Sequence, residues 1–410
     1  MTSSLNVASK GNSGMKVTVG PSGADFTGAT HRAIQSAIEM VARLGGGTVH
    51  LLPGVYELGN AVHLRSHVHL VGAGEKTVLF KKPSFTTQLI EDADWYVRQV
   101  AVADPSGFET GGGLLLRSCD EKTAKEQFSK HTILRIEGNR LHLDGIPRHN
   151  HWIAGAATAG TLFSVVAGND ARDVLIENLT LNGNRSQNEW LNDSQGGCIF
   201  LQECERIHMR GLRAADFEGD GISWQVCHDV VVEDCKIVNH RDLGLHPGSG
   251  SQRSVIRNNE IAGCADGLFW CWGVRHGVAE GNVIRKSSRH GISLGHRDTD
   301  NVIRRNKVID SGEKGLFFRP ERSAETTAHR NLVEDNVFEN AGSEKTPGTG
   351  IYLSRGVEDV VLRRNRVVDR SGFMSVGVHI ESGVARLTME GNVFEGMKNE
   401  IEDLRSSKNQ

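Results

Sequence analysis

Proline is scarce in this chain, 8 in 410 residues, and tyrosine scarcer, with three. Cysteines number seven, an odd count without paired CxxC motifs, which argues against a disulfide framework or a zinc ribbon and leaves most of them as core thiols. No run approaches the ~18 apolar residues needed to span a bilayer, and residues 1–15 (MTSSLNVASKGNSGM) lack the apolar core of a secretory leader. The expected location is therefore the cytoplasm, or the periplasm or exterior if a leader has been removed. A net charge of −3 shows no excess of either sign, so neither a nucleic-acid footprint nor a membrane-surface partner is suggested. Nothing in the composition speaks to oligomeric state.

What is abundant is glycine, 48 residues, as suits a chain that turns often between short strands. From residue 161 onward the pattern is regular. A glycine precedes a short strand at Gly197, Gly221, Gly244, Gly267, Gly291, Gly315, Gly350 and Gly377, at intervals of 24, 23, 23, 24, 24, 35 and 27 residues. The strands are CIFL, ISWQ, LHPG, LFWC, ISLG, LFFR, IYLS and VHIE. Period two predicts that the first and third residues of each point inwards and the second and fourth outwards, so Trp224 and Trp270 are core. A second column, Asn259, Asn282, Asn306, Asn336, Asn365 and Asn392, recurs at 23 to 30 residues and predicts a ladder of stacked amides. A repeat of this period specifies an all-β fold, a right-handed parallel β-helix, in which one supersecondary unit stacks on the next.

Before the repeat, Thr30 is placed to cap a helix over 31–43 (HRAIQSAIEMVAR), with Ile34, Ile38 and Val41 on one face and Gly45-Gly46-Gly47 at its end. GTVHLLPGVYEL, AVHLRSHVHLVGAG and KTVLFKK follow as short alternating strands. Over residues 24–80 this helix and these strands resemble the N-terminal cap and first coils of the pectate-lyase-like superfamily. Residues 88–160 break the rhythm and predict an inserted small β-subdomain that the pattern does not place on the coil. The expected organisation is an N-terminal segment (1–23), capping helix and first coils (24–87), insertion (88–160), regular coils (161–400) and a polar tail (401–410). SAETTAHR and ENAGSEKTPGT lengthen the 315–350 interval as long turns able to wall a groove.

Successive coils stack about 4.8 Å apart, so a column of the repeat becomes a line on the surface. The residue before each repeat glycine runs Asp220, Leu243, Asp266, His290, Lys314, with Asp242 one position earlier in the leucine's coil. Outward positions add His246, Ser293, Arg319, Tyr352, His379 and Glu381, and the turns add Trp272, His296, Asp298 and Glu321. Any solenoid surface is polar, but the concentration on a few adjacent coils, beside the outward Phe269 and Phe317, predicts a glycan-binding groove.

RHGISLGH at 289–296 resembles the GHGISIGS strand of polygalacturonase-type glycoside hydrolases. The resemblance implies that Asp266, before the strand one coil earlier, is catalytic and that Arg319 stands in the position of the family's lysine. It departs at RDLG, which shifts the first aspartate to Asp242, at ADG in place of an aspartate doublet, and at Phe317 in place of an arginine.

Glycoside hydrolysis needs one carboxylic acid for the leaving oxygen and one carboxylate for water or attack. Asp242 and Asp266, with Asp220 as alternative partner and His290 as orienting group, are the expected catalytic residues. His246, Phe269, Trp272, His296, Asp298, Arg319 and Glu321 are the expected contacts to a poly- or oligosaccharide. A uronate lyase or C5-epimerase is the second expectation, with His246, His290, His296 and Arg319 as base and carboxylate-neutralising groups and Tyr352 as an acid. A non-catalytic glycan-binding solenoid is the third. No cofactor is required, although Asp220, Asp242 and Asp298 have the oxygen chemistry of a Ca²⁺ site. HRDTD at 296–300 lacks zinc-ligand spacing.

Overall fold

The computed structural model describes residues 14–192 and 195–405. One helix, His31–Arg43, lies across the start of a long coil of parallel strands and buries His31, Ile34, Ala37, Ile38 and Val41. Thr30 precedes it in extended conformation but makes no side-chain capping bond. The helix closes the open end of the solenoid, where core and unpaired strand edge would otherwise meet water.

Parallel pairing runs through the whole coil in a 22-stranded and a 12-stranded sheet. The strand Met15–Gly20 already pairs with Gly47–Leu51, so the coil begins inside the expected N-terminal segment. Asn399–Asp403 pairs with Met374–Ile380, so the solenoid also runs past residue 400, where the polar tail was expected to start. Residues 1–13 and 406–410 lie outside the described residues.

The strands after the repeat glycines make up most of the 12-stranded sheet. Ile222, Leu245, Leu268, Ile292, Leu316, Ile351 and Val378 stack in the interior, with Trp224 and Trp270 beneath them at 0% and 1% exposure. The first coil departs from the expected register. Gly197 pairs with Asp220 and Ile199 with Ile222, so Ile199 and Leu201 point inwards, Phe200 points outwards, and Cys198 occupies the glycine column. This coil has no glycine in the column, and Gly197 stands one residue before it, opposite Asp220.

The glycine column has a packing reason. A Cβ on Gly350 would sit 2.3 Å from Val367 Cγ1 and 2.6 Å from the carbonyl oxygen of Gly377 in the next coil. Backbone cannot yield as a flexible side chain can, so Gly350→Ala is expected to lower stability by about 1–3 kcal/mol, read as an earlier denaturant midpoint.

The asparagine column forms a continuous ladder. Each backbone N–H and side-chain amide from Asn259 to Asn365 donates to the Oδ1 of the next asparagine, ending at Asn392. A second ladder forms on the surface, where left-handed turn residues alternate in charge and pair as Asp173–Arg206, Asp229–Arg253, Asp300–Arg330 and Asp359–Arg386.

The insertion forms a six-stranded antiparallel sheet from Thr86–Gln88 to Thr158–Gly160, with its own core of Leu89, Val100, Leu114, Leu116, Ile133 and Leu141. It docks on the N-terminal coils through the Asn60 amide, which donates to Gly111 O and Thr132 Oγ1. Among the described residues no helix is long and apolar enough to cross a membrane.

Candidate functional site

Because the backbone turns the corner at each repeat glycine, the residue before it points outwards, as does the second residue after it. Two parallel lines of side chains result on the 12-stranded sheet. One runs Asp220, Leu243, Asp266, His290, Lys314, Thr349, and the other Ser223, His246, Phe269, Ser293, Phe317, Tyr352, His379. Side chains lean from one line into the other, from one coil to the next.

Asp220 reaches forward to His246, with 2.8 Å between Oδ2 and Nδ1, while its Oδ1 accepts the Leu243 N–H at 3.1 Å. Asp220 is 0% and His246 5% exposed. In the neutral imidazole, a proton donated from Nδ1 to a carboxylate leaves the lone pair on Nε2, the arrangement of an oriented general base. The ring meets Phe269 edge to face, centroids 5.4 Å apart, and the Arg319 guanidinium lies over the same phenylalanine at 4.1 Å. Arg319 donates to Ser293 Oγ and to Trp270 O, both at 2.7 Å. The outward Phe269 is thus a platform between a histidine and an arginine.

The second group lies one to three coils further on. Asp266, 2% exposed, accepts Arg289 Nε at 3.0 Å and His290 N–H at 3.4 Å. Burial raises its carboxyl above the usual carboxylate range, against the pull of Arg289. His290 packs on Phe317, centroids 4.7 Å apart, its Nε2 lies 4.0 Å from Glu313 Oε2, and its Nδ1 is buried with no hydrogen-bond partner among the described residues. Burial first, then the charges of Lys314, Arg289 and Arg319, push the imidazole down to about 3, so His290 is neutral at physiological pH. Beyond it, the Tyr352 hydroxyl donates to Glu381 Oε1 at 2.6 Å and its ring stacks on His379; burial, then Glu381, raises the phenol, which stays protonated.

Other expected site residues are placed differently. Asp242 sits on the turn, aligned with Gly219 and Ala265, and its Oδ2 accepts the Trp190 indole N–H at 2.6 Å, so it does not stand beside Asp266 in one line. Asp298 is 0% exposed; its oxygens accept the N–H groups of Gly273, Val274 and Gly295, and Arg319 lies 3.6 Å away. It ties two turns together and holds Arg319, which replaces the expected substrate contact. His296 pairs with Glu321 at 3.1 Å and packs at a tilt on the exposed Trp272, centroids 4.7 Å apart. The pair of carboxylates expected for hydrolysis is therefore not set side by side on this face: Asp220 is buried in a hydrogen bond to His246, Asp266 is buried in an ion pair with Arg289, and Asp242 is held by Trp190.

Nor do Asp220, Asp242 and Asp298 converge as Ca²⁺ ligands, since each lies in its own set of contacts. Among the described residues no group of three or more His, Cys, Asp or Glu side chains is placed to hold a metal ion.

The repeat columns do not mark Trp190 or Arg289 as site residues. Trp190 belongs to a connection without a repeat and left no signal. Arg289 directly precedes His290, and a second column drawn one residue before the first (Gly219, Asp242, Ala265, Arg289, Glu313) would have found it.

One buried histidine away from the face supplies a pH test. His240 is 1% exposed, binds Ala214 O through Nε2, and is pushed down to about 4, first by burial. The unfolded chain, with an ordinary value of 6.5, binds more protons between these limits, so this stability is complete above 6.5 and is lost as pH falls toward 4. Relative to His240→Gln, the wild type is expected to lose about 2 kcal/mol between pH 6.5 and about 4.5, measured by denaturant titration at each pH.

The family described as right-handed β-helix region matches residues 165–343. No curated protein matches the chain. Among solved structures, the mannuronan C-5 epimerase AlgE6 A-module of Azotobacter vinelandii is similar at 14% identity and a TM-score of 0.58, over 91% of this chain and 91% of that one. The AlgE4 A-module of the same organism is similar at 15% identity and 0.58, over 91% and 93%. PfbA, a surface protein and adhesin of Streptococcus pneumoniae, is similar at 13% identity and 0.54, over 91% and 96%. At these identities the likeness is one of fold, the right-handed parallel β-helix.

Proposed function

We propose that the outward face of the 12-stranded sheet binds a uronate-bearing polysaccharide and removes the proton at C5 of one uronate, with His246 as the base. The observation that carries this reading is the buried Asp220–His246 pair set against Phe269 with Arg319 over the ring. A C5 proton is acidic only when the neighbouring carboxylate is neutralised, and Arg319, Arg289 and Lys314 are the cations along this line. Their positions are fixed by Asp298, Asp266 and Glu313 respectively. Phe269 offers an apolar surface to a sugar ring.

In the step proposed, the C5–H electron pair passes into the carboxylate as the proton moves to Nε2 of His246. The intermediate then has two balanced exits. Either the C4–O bond breaks, giving a C4=C5 double bond and a leaving oxygen that takes up a proton, or a proton returns to C5 from the other face. The first is a lyase and the second an epimerase; mannuronan epimerisation is named for the two Azotobacter structures of like fold.

Hydrolysis keeps one point in its favour, the raised carboxyl of Asp266, which could protonate a leaving oxygen. A panel of uronate and neutral polysaccharides separates these readings. The proposal expects uronates alone to react, with new ultraviolet absorbance for elimination or a changed C5 configuration for epimerisation. Reducing ends without either change would establish hydrolysis, and binding without any product would establish a lectin.

A further inference from the structure

The insertion encloses space on the same face. Between it and the first coils lies a cleft of about 770 Å³, lined on the insertion side by Lys130, His131, Arg148 and His149 and on the solenoid side by Asn169 and Gln202. A smaller space of about 290 Å³ continues it beneath Leu114 and Thr132, over Ala167 and Phe200. Ala167 and Phe200 are outward residues of the line that continues into Ser223 and His246. His246 therefore stands two coils, about 10 Å, from Phe200 along one sheet face.

Two cations of the cleft stand without a carboxylate partner among the described residues. Many solenoid arginines are neutralised by a neighbouring carboxylate, as in the Asp229–Arg253 and Asp300–Arg330 pairs. Lys130 and Arg148 have no ion pair among the described residues. Lys130 instead lies over the Phe200 ring at 4.5 Å, and the surrounding walls push its ammonium down to about 8, with Arg148 adding to the shift. Asp144, which also lines the cleft, is paired with His131 Nδ1 at 3.3 Å. His131 is 9% exposed, and its Nε2 is buried with no hydrogen-bond partner among the described residues. Glu126, Asp170 and Glu203 also line the cleft.

From this juxtaposition we infer that the cleft is a second glycan subsite, in which Lys130 and Arg148 take the carboxylate of an anionic sugar while the chain continues along the sheet toward His246. The inference rests on the uronate reading of the site and adds to it a place and a reason for the insertion. A subsite remote from the reacting sugar binds ground state and transition state alike, so its loss raises KM and leaves kcat in place.

The test is Lys130→Met/Arg148→Gln, which keeps side-chain bulk and removes both charges. Titration calorimetry with a hexauronate is expected to show Kd weakened about tenfold or more, with polymer KM rising in step and kcat moving less than twofold. An unchanged Kd for the hexauronate overturns the inference, even where wild-type turnover of uronates holds. An equal loss for a neutral hexasaccharide overturns the assignment to a carboxylate. Wild-type protein that binds no uronate overturns both this inference and the reading beneath it, whereas binding weakened by the double substitution without any wild-type turnover supports the subsite and removes only the chemistry.

Discussion

His246→Gln is expected to lower turnover of the uronate polymer by about 10²- to 10⁴-fold, the usual contribution of a positioned general base, while KM moves little. Glutamine is the informative substitution. Removing the imidazole altogether would take from Asp220, 0% exposed, its histidine partner, and a loss of stability could then be mistaken for a loss of chemistry. A glutamine amide can still donate to Asp220 Oδ2 but has no basic nitrogen to present to the groove. Asp220→Asn tests the same pair from the other side. Its amide can donate toward Nδ1, which forces the imidazole proton to Nε2 and withdraws the lone pair that the step requires. Both variants should therefore fail in the chemical step and bind substrate normally. If either retains wild-type kcat, the base is not His246.

The second large effect concerns the ladder that sets the coil spacing. Asn306 is 1% exposed; its Oδ1 accepts from the backbone N–H and the amide of Asn282, and its Nδ2 donates to Ala279 O and to Asn336 Oδ1. Asn306→Ala removes all four bonds at once. Two of the partners, Asn282 N–H and Ala279 O, are backbone groups left unsatisfied in the interior, at about 1–3 kcal/mol each. A total loss of roughly 2–5 kcal/mol is expected, read as a large shift of the chemical denaturation midpoint. Asn392→Ala, at the partly exposed end of the ladder where water can replace the lost amide, should cost clearly less. Equal losses at the two positions would mean that the ladder is not acting as a buried, mutually satisfied array.

These two sites also mark how far the sequence could be read. The asparagine column and the inward Ile and Leu residues were legible because each coil repeats the same local demand, and a repeat makes a weak signal visible several times over. At Gly197 the register differs by one residue, since Cys198 takes the place of the glycine in that coil and only the pairing of Gly197 with Asp220 reveals it. Columns predicted which residues share a face, and Asp220, His246, Phe269, Asp266, His290 and Arg319 do line one sheet. They could not predict that side chains lean from coil to coil, which turns Asp220 from a partner of Asp266 into the anchor of His246. Nor could they reveal contacts from outside the repeat: Trp190 reaches Asp242 from a connection without a period, and the insertion meets the face through Lys130 over Phe200. The charged residues were found by period, and their pairings, which decide whether a carboxylate is open or spent, came only from three dimensions.

Solvent isotope exchange at C5 tests the central claim most directly. Wild-type protein incubated with a uronate polymer in D₂O, followed by NMR of the sugar protons, should replace the C5 proton by deuterium in epimerised residues or lose it altogether in unsaturated ones, and His246→Gln should do neither. Polymer that is cleaved or bound while every C5 proton remains in place would contradict the account.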